Sequence, residues 1–167
     1  LAFNTILGGA NAYLEDAFVA VANAGSGQVN ISAQNISSIL AEIRATAVSV
    51  GIGSGNTPAI AIGVAVAQNL IGWSSSATRQ GQGVQAYVRN GRLVADSNIQ
   101  LSATAQSDID AVVHATAVAI AASAGKAGAF SGAGLSVINQ IATDIRAFID
   151  GASLVDSNGG DISLTAS

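Results

Sequence analysis

Three short stretches, residues 84–88, 92–95 and 99–104, alternate apolar with polar or small side chains. A period of two predicts short β-strands. They are separated by Asn90-Gly91 and Asp96-Ser97-Asn98, residue types that turn the chain by left-handed backbone or by Asx bonding. An Asn-Gly pair suits a two-residue hairpin. It also suits the corner of a β-solenoid coil, which is the preferred reading because the pattern recurs with a longer repeat. Elsewhere the spacing changes: Ile36, Ile39, Leu40, Ile43, Ala47 and Val50, and then Ile109, Val112, Val113, Ala117 and Ile120, fall at steps of 3, 4 and 7. That predicts a helix in each place, with Ser107 and Asp108 as N-cap candidates. Thr57-Pro58 reads as an N-cap followed by Pro at the first helical position, and Ala59 to Ile71 as a second helix, with residues 132–145 as its counterpart. Ile60, Ile62, Val64 and Val66 alternate with Ala59, Ala61, Gly63 and Ala65, which also describes a strand with one bulky and one small face.

The same phrases return along the chain. Ala12-Tyr13-Leu14 recurs as Ala86-Tyr87-Val88 and Ala147-Phe148-Ile149, and Val29-Asn30-Ile31-Ser32-Ala33 as Ile99-Gln100-Leu101-Ser102-Ala103 and Ile162-Ser163-Leu164-Thr165-Ala166. Ala45-Thr46-Ala47-Val48 is identical to Ala115-Thr116-Ala117-Val118, and Asn-x-Ile stands at Asn4, Asn69 and Asn139. Fixed-interval self-similarity is the signature of a stacked repeat. The expected organisation is the end of one unit at 1–10, a first full unit at 11–72, a Ser/Gly-rich surface loop at 73–83, a second full unit at 84–145, and the start of a third at 146–167. The expected fold is α/β: a solenoid of about 70 residues per unit, each with short β-solenoid strands and an αα-hairpin, with an all-β solenoid as the alternative.

Composition narrows the function classes. Half of the 167 residues are hydrophobic, but aromatics are 4%, charged residues 10%, and Cys and Met are absent. Without Cys there is no disulfide framework, thiolate zinc site or thiol catalysis. The net charge of −4 excludes strong nucleic-acid binding driven by counterion release. No charged residue occurs between Arg44 and Arg79, yet Gly53-Ser54-Gly55-Asn56-Thr57-Pro58 splits that stretch into runs too short and too rich in Ala and Gly for a transmembrane helix, which needs about 20 apolar residues. The chain opens at Leu1 with no basic and apolar leader, and so reads as part of something longer.

The phrases Val-Gln-Ala-Tyr-Val (84–88), Asn-Ile-Gln-Leu-Ser-Ala-Thr-Ala (98–105), Ile-Asp-Ala-Val-Val (109–113) and Ala-Ile-Gly-Val-Ala-Val-Ala-Gln-Asn-Leu-Ile-Gly (61–72) resemble the Ala/Gly/Val-rich tandem repeats of giant bacterial exoproteins. These are the adhesin-like chains with LEPR-XLL, RTX or filamentous-haemagglutinin features. The resemblance runs over essentially the whole chain through degenerate patterns, and it implies a secreted or surface-displayed structural array. The expected function is a structural repeat module, a rigid spacer or self-associating fibre segment, extracellular or on the cell surface, whose partners are neighbouring repeats or copies of itself. The alternative is an adhesin module recognising a glycan or protein through the loop at 72–83, where Trp73 is the exposed-aromatic candidate.

No catalytic, cofactor-binding or metal-ligating set is expected. His114, the only imidazole, has Asp110 four residues earlier, which on a helix makes a carboxylate-oriented base; Arg44, with Glu42 nearby, fills its place in the other copy, so a solvent-facing slot is preferred. Gly51-Ile52-Gly53-Ser54-Gly55 lacks the Lys-Ser/Thr of a phosphate loop and reads as an interhelical turn. Asp156-Ser157-Asn158-Gly159-Gly160-Asp161 has the carboxylates and Gly turn of a calcium loop, but its counterpart Asp96-Ser97-Asn98 lacks the second half, and an Asx turn is preferred. Asn4, Asn69 and Asn139 are expected to cap helices or to form an amide ladder. Tyr13, Tyr87 and Phe148 are expected to stack as a column, with a carbohydrate platform as the rival.

Overall fold

The computed structural model describes residues 1–22, 25–152 and 154–167. Fourteen strands and no helix occur among them. The chain makes three passes through the same four sheets. The first pass is β1 (Ala2–Ile6), β2 (Ala10–Glu15), β3 (Phe18–Val21) and β4 (Val29–Gly53). The second is β5 (Thr57–Ile71), a hairpin of β6 (Trp73–Ser75) and β7 (Thr78–Arg79), then β8 (Gln82–Arg89), β9 (Arg92–Ala95) and β10 (Ile99–Ser123). The third is β11 (Ala127–Ile141), β12 (Thr143–Asp150), β13 (Leu154–Ser157) and β14 (Ile162–Ala166). Each sheet has the second-pass strand in the middle: β1-β5-β11, β12-β8-β2, β13-β9-β3 and β14-β10-β4. The pairs of β8 with β2 and β12, of β9 with β3 and β13, and of β10 with β14 are all parallel. Tyr13, Tyr87 and Phe148 are direct partners, as are Ile99 and Ile162. This in-register stacking is consistent with a β-solenoid-like repeat.

The α/β expectation is therefore corrected: the helices expected around 36–50, 109–120, 59–71 and 132–145 are the long strands β4, β10, β5 and β11 with the start of β12. Thr57-Pro58 opens a strand rather than capping a helix, and Ser107 and Asp108 lie inside β10. The physical reason is visible on β4. Its even-numbered residues from Asn30 to Ile52 are exposed, while the odd-numbered ones from Val29 to Gly51 are buried or half-buried. Ile36, Leu40 and Val50 point one way, and Ile39, Ile43 and Ala47 the other. Apolar residues on both faces of one strand add up to steps of 3, 4 and 7 without any helix.

The contacts divide the chain into two compact units. The first, Leu1–Asn4, Ser38–Leu70 and Ile109–Gln140, holds most of β5 and β11 and the C-terminal parts of β4 and β10. Its interior is made of small residues: Ala59, Ala61, Ala65, Ala67 and Ala41, with Ile39, are at most 5% exposed. Ile60, Ile62 and Val64 face out at 61, 68 and 59% exposure. So the small face of β5 is the buried one.

The second unit, Thr5–Ser37, Ile71–Asp108 and Ile141–Ser167, has a core of larger residues. Val84, Ala86 and Val88 of β8, Leu93 and Ala95 of β9, and Ile99, Leu101 and Ala103 of β10 are fully buried. Leu14 and Val19 from the first pass, and Ile145, Ile149 and Val155 from the third, pack against them. At the corner between the second and third sheets stand Asp16, Asn90 and Gly151, with φ of 51°, 49° and 60°. Left-handed backbone at three equivalent positions is why Asp, Asn and Gly occupy them. Asn90-Gly91 is thus a coil corner, since β8 and β9 lie in different sheets.

Candidate functional site

The predicted landmarks fall on stacked positions, and their geometry shows what each is used for. In the first unit Asn4 donates from Nδ2 to Asn69 Oδ1 at 2.8 Å, and Asn69 donates from Nδ2 to Asn139 Oδ1 at 2.8 Å. Of the two expected roles the laddering one is realised, because no helix occurs among the described residues to be capped. Asn69 accepts from the first pass and donates to the third, so the ladder locks neighbouring passes in register.

In the second unit Tyr13 and Tyr87 stack with ring centroids 5.2 Å apart and planes 9° apart, and Tyr87 and Phe148 at 4.9 Å and 6°. The rings cover one another's faces. A sugar ring needs an open aromatic face, so the middle of this column offers only edges. Arg89 lies over Tyr87 at 5.1 Å, with Glu15 and Asp150 at 3.6 and 3.8 Å from its guanidinium. The three charges are register partners. They alternate in sign up the stack, which favours correct pairing of the strands.

The segment expected as a surface loop is a short antiparallel hairpin with Trp73 opposite Arg79. Its base is tied at Gly72, whose carbonyl accepts from Gln80 and Gly81 N–H at 2.9 and 2.8 Å. Trp73 is half-buried, and its indole Nε1 is buried with no acceptor among the described residues. Arg79 donates to Asp144 Oδ1 at 2.9 Å. The hairpin is thus held to its own unit by its one cation.

His114 and Arg44 both sit exposed on the outward face and line a shallow depression with Thr46 and Thr116. Arg44 Nε donates to Glu42 Oε1 at 2.8 Å. Asp110 cannot orient His114: four residues along a strand span about 13 Å, where on a helix they would be neighbours. The turn at Gly51–Gly55 joins two strands, not two helices.

At the Asp/Asn corner the polar side chains bond to the layer next to them. Asn98 Oδ1 accepts from Asp161 N–H at 2.9 Å, Asn158 Nδ2 donates to Asp96 Oδ1 at 3.3 Å, and Ser157 Oγ donates to the Ser97 carbonyl at 2.8 Å. Among the described residues no group of three or more His, Asp or Glu is gathered closely enough to hold a metal ion.

One polar centre was not anticipated. Gln82 is fully buried; its Oε1 accepts from Asn35 Nδ2 at 2.9 Å, and its Nε2 donates to Ser37 Oγ at 3.1 Å. Repeat comparison could not reveal it, since Thr143 stands opposite Gln82 in the third pass. No family model, curated protein or solved structure matches the chain.

Proposed function

We propose that this chain is a structural repeat module of a bacterial extracellular surface or filament protein, serving as a spacer or self-associating fibre segment. The observation that supports this reading best is the use made of the polar side chains. The Asn4-Asn69-Asn139 ladder, the Glu15-Arg89-Asp150 series and the Asn98 and Asn158 bonds all join one pass to the next. Groups spent on stacking suit a load-bearing array, whose stability accumulates through nearest-neighbour interfaces. The open, exposed position of the only imidazole gives no support to an enzymatic role. In this reading the partners are neighbouring repeats and copies of the chain.

Antibodies against the chain, applied to intact and to lysed cells of the source organism, test the proposal. Labelling of intact cells or of the secreted material is expected. Labelling that appears only after lysis overturns it.

A further inference from the structure

The outward face of β5 in the first unit is a ridge of Ile60, Ile62 and Val64, and β5 is the central strand of its sheet. The Asn69 to Asn139 bond sets β11 beside it with an offset of 70 positions. Gly132 and Gly134 therefore lie next to Ile62 and Val64, and Phe130 next to Ile60. The glycine geometry agrees: a Cβ at Gly134 would stand 4.0 Å from Val64 Cγ2, and one at Gly132 would meet nothing within 4 Å. A ridge of β-branched side chains thus runs alongside a groove floored by glycine, with Phe130, 68% exposed, at one end.

We infer that this ridge and groove form a lateral contact surface for a second copy of the chain. The inference rests on the fibre-segment reading above and names the surface that reading would use. A two-fold axis between two such faces drops the ridge of each copy into the groove of the other, the self-complementarity an isologous contact requires. The exposures of Ile60, Ile62, Val64 and Phe130 leave on the order of 500 Å² of apolar surface, as large as the biggest patch of a typical monomer and over half of the ~800 Å² each partner gives to a standard interface. No charged residue lies between Arg44 and Arg79, so nothing charged on β5 must be desolvated when the faces meet. A lipid surface fits less well, because the basic and Trp/Tyr residues that anchor proteins at a bilayer are missing from β5 and β11.

The test is sedimentation velocity of the 167-residue chain and of three variants, with circular dichroism confirming that each keeps its β-sheet spectrum. The wild-type chain is expected to rise at least twofold in weight-average mass between about 1 and 100 μM, and more steeply in sulfate. Ile62→Lys on the ridge and Gly132→Leu in the groove should each weaken association at least about tenfold. Leu40→Lys, which removes an even more exposed apolar side chain from β4, should leave it unchanged. A wild-type chain that stays monomeric, equal weakening by Leu40→Lys, or binding of monomers to phosphatidylcholine vesicles that Ile62→Lys abolishes would each overturn the inference. Monomeric behaviour with intact-cell labelling retained removes the lateral contact and leaves the spacer reading standing. Association without such labelling removes that reading and leaves the surface.

Discussion

Gly63 of β5 lies under the backbone of Thr116 in β10, so close that an added Cβ would stand 2.7 Å from the Thr116 carbonyl oxygen and 3.3 Å from its carbon. The two strands belong to different sheets, so this is a face-to-face approach and not a ladder contact. It accounts for the inverted pattern of β5. Where two backbones come this near, only Gly fits at the closest point and Ala beside it, and the branched side chains of the same strand must turn outward. Sheets usually pack about 10 Å apart because ordinary side chains interdigitate between them. Here many short-range contacts between small groups take their place.

Gly63→Ala should therefore destabilise the chain, although Gly to Ala within a strand ordinarily gains up to about 1 kcal/mol through the unfolded state. The clash is with backbone, which cannot swing aside, and overpacking of this kind costs about 1–3 kcal/mol. Gly134→Ala is the control, since its Cβ meets only Val64 Cγ2 at 4.0 Å. Urea denaturation should show a lower midpoint for Gly63→Ala and a change within about 0.5 kcal/mol for Gly134→Ala. Equal midpoints would show that the sheets part easily.

The Asn ladder makes a position-dependent prediction. Asn69 is fully buried and bonded on both sides, whereas Asn139 is exposed and takes part in one ladder bond. Replacing Asn69 by Ala deletes both ladder bonds and empties a fully buried site, and should cost about 2–3 kcal/mol. Asn139→Ala deletes one bond and leaves Asn69 Nδ2 without its acceptor, and should cost less, about 1–1.5 kcal/mol. The comparison is made by thermal melts of both variants, and similar losses would mean that the ladder adds little beyond packing.

The repeat was legible in the residues and the secondary structure of half of it was not. Equivalences such as Tyr13, Tyr87 and Phe148, or Ile99 and Ile162, reappear as register partners because stacking places like residues over like. The Asn90 corner was readable because left-handed backbone restricts residue choice. The long strands were misread because the periodicity argument presumes one buried face. On β4 and β10 both faces carry Ile, Leu or Val, and on β5 the bulky face is the exposed one. The distance between facing sheets decides which set goes inside, and no local pattern encodes that distance. The Asp110 and His114 pairing failed for the same reason, since its chemistry depended on helical rise.

Gln82 tests how far the second unit depends on a buried polar contact. Gln82→Leu keeps the volume but removes the acceptor of Asn35 Nδ2 and the partner of Ser37 Oγ. Ser37 is itself buried, so the variant should lose about 2 kcal/mol or more. Adding Ser37→Ala to Gln82→Leu should recover part of that loss, because the stranded hydroxyl is gone. A double-mutant cycle by urea denaturation checks this; strictly additive losses would show that the two side chains act independently.

The hairpin of β6 and β7 should be dispensable to the fold. In the third pass the chain goes from β11 to β12 through Ala142 alone, whose N–H donates to the Ile71 carbonyl at 2.8 Å and whose carbonyl accepts from Gln82 N–H at 3.0 Å. In the second pass Gly72 already donates to the Ile6 carbonyl at 2.9 Å, as Ala142 does to Ile71, and the strand resumes at Gln82. Deleting residues 73–81 joins Gly72 directly to Gln82 and reproduces the third-pass connection. The losses are the Gln80 and Gly81 N–H bonds to the Gly72 carbonyl, the exposed Arg79 to Asp144 pair, worth at most about 1 kcal/mol, and the partial burial of Trp73. The shortened chain should melt within a few degrees of the full one, roughly what 1 kcal/mol shifts in a chain of this size, with an unchanged β-sheet spectrum. Cooperative unfolding lost altogether would mean that the hairpin closes the stack rather than decorating it.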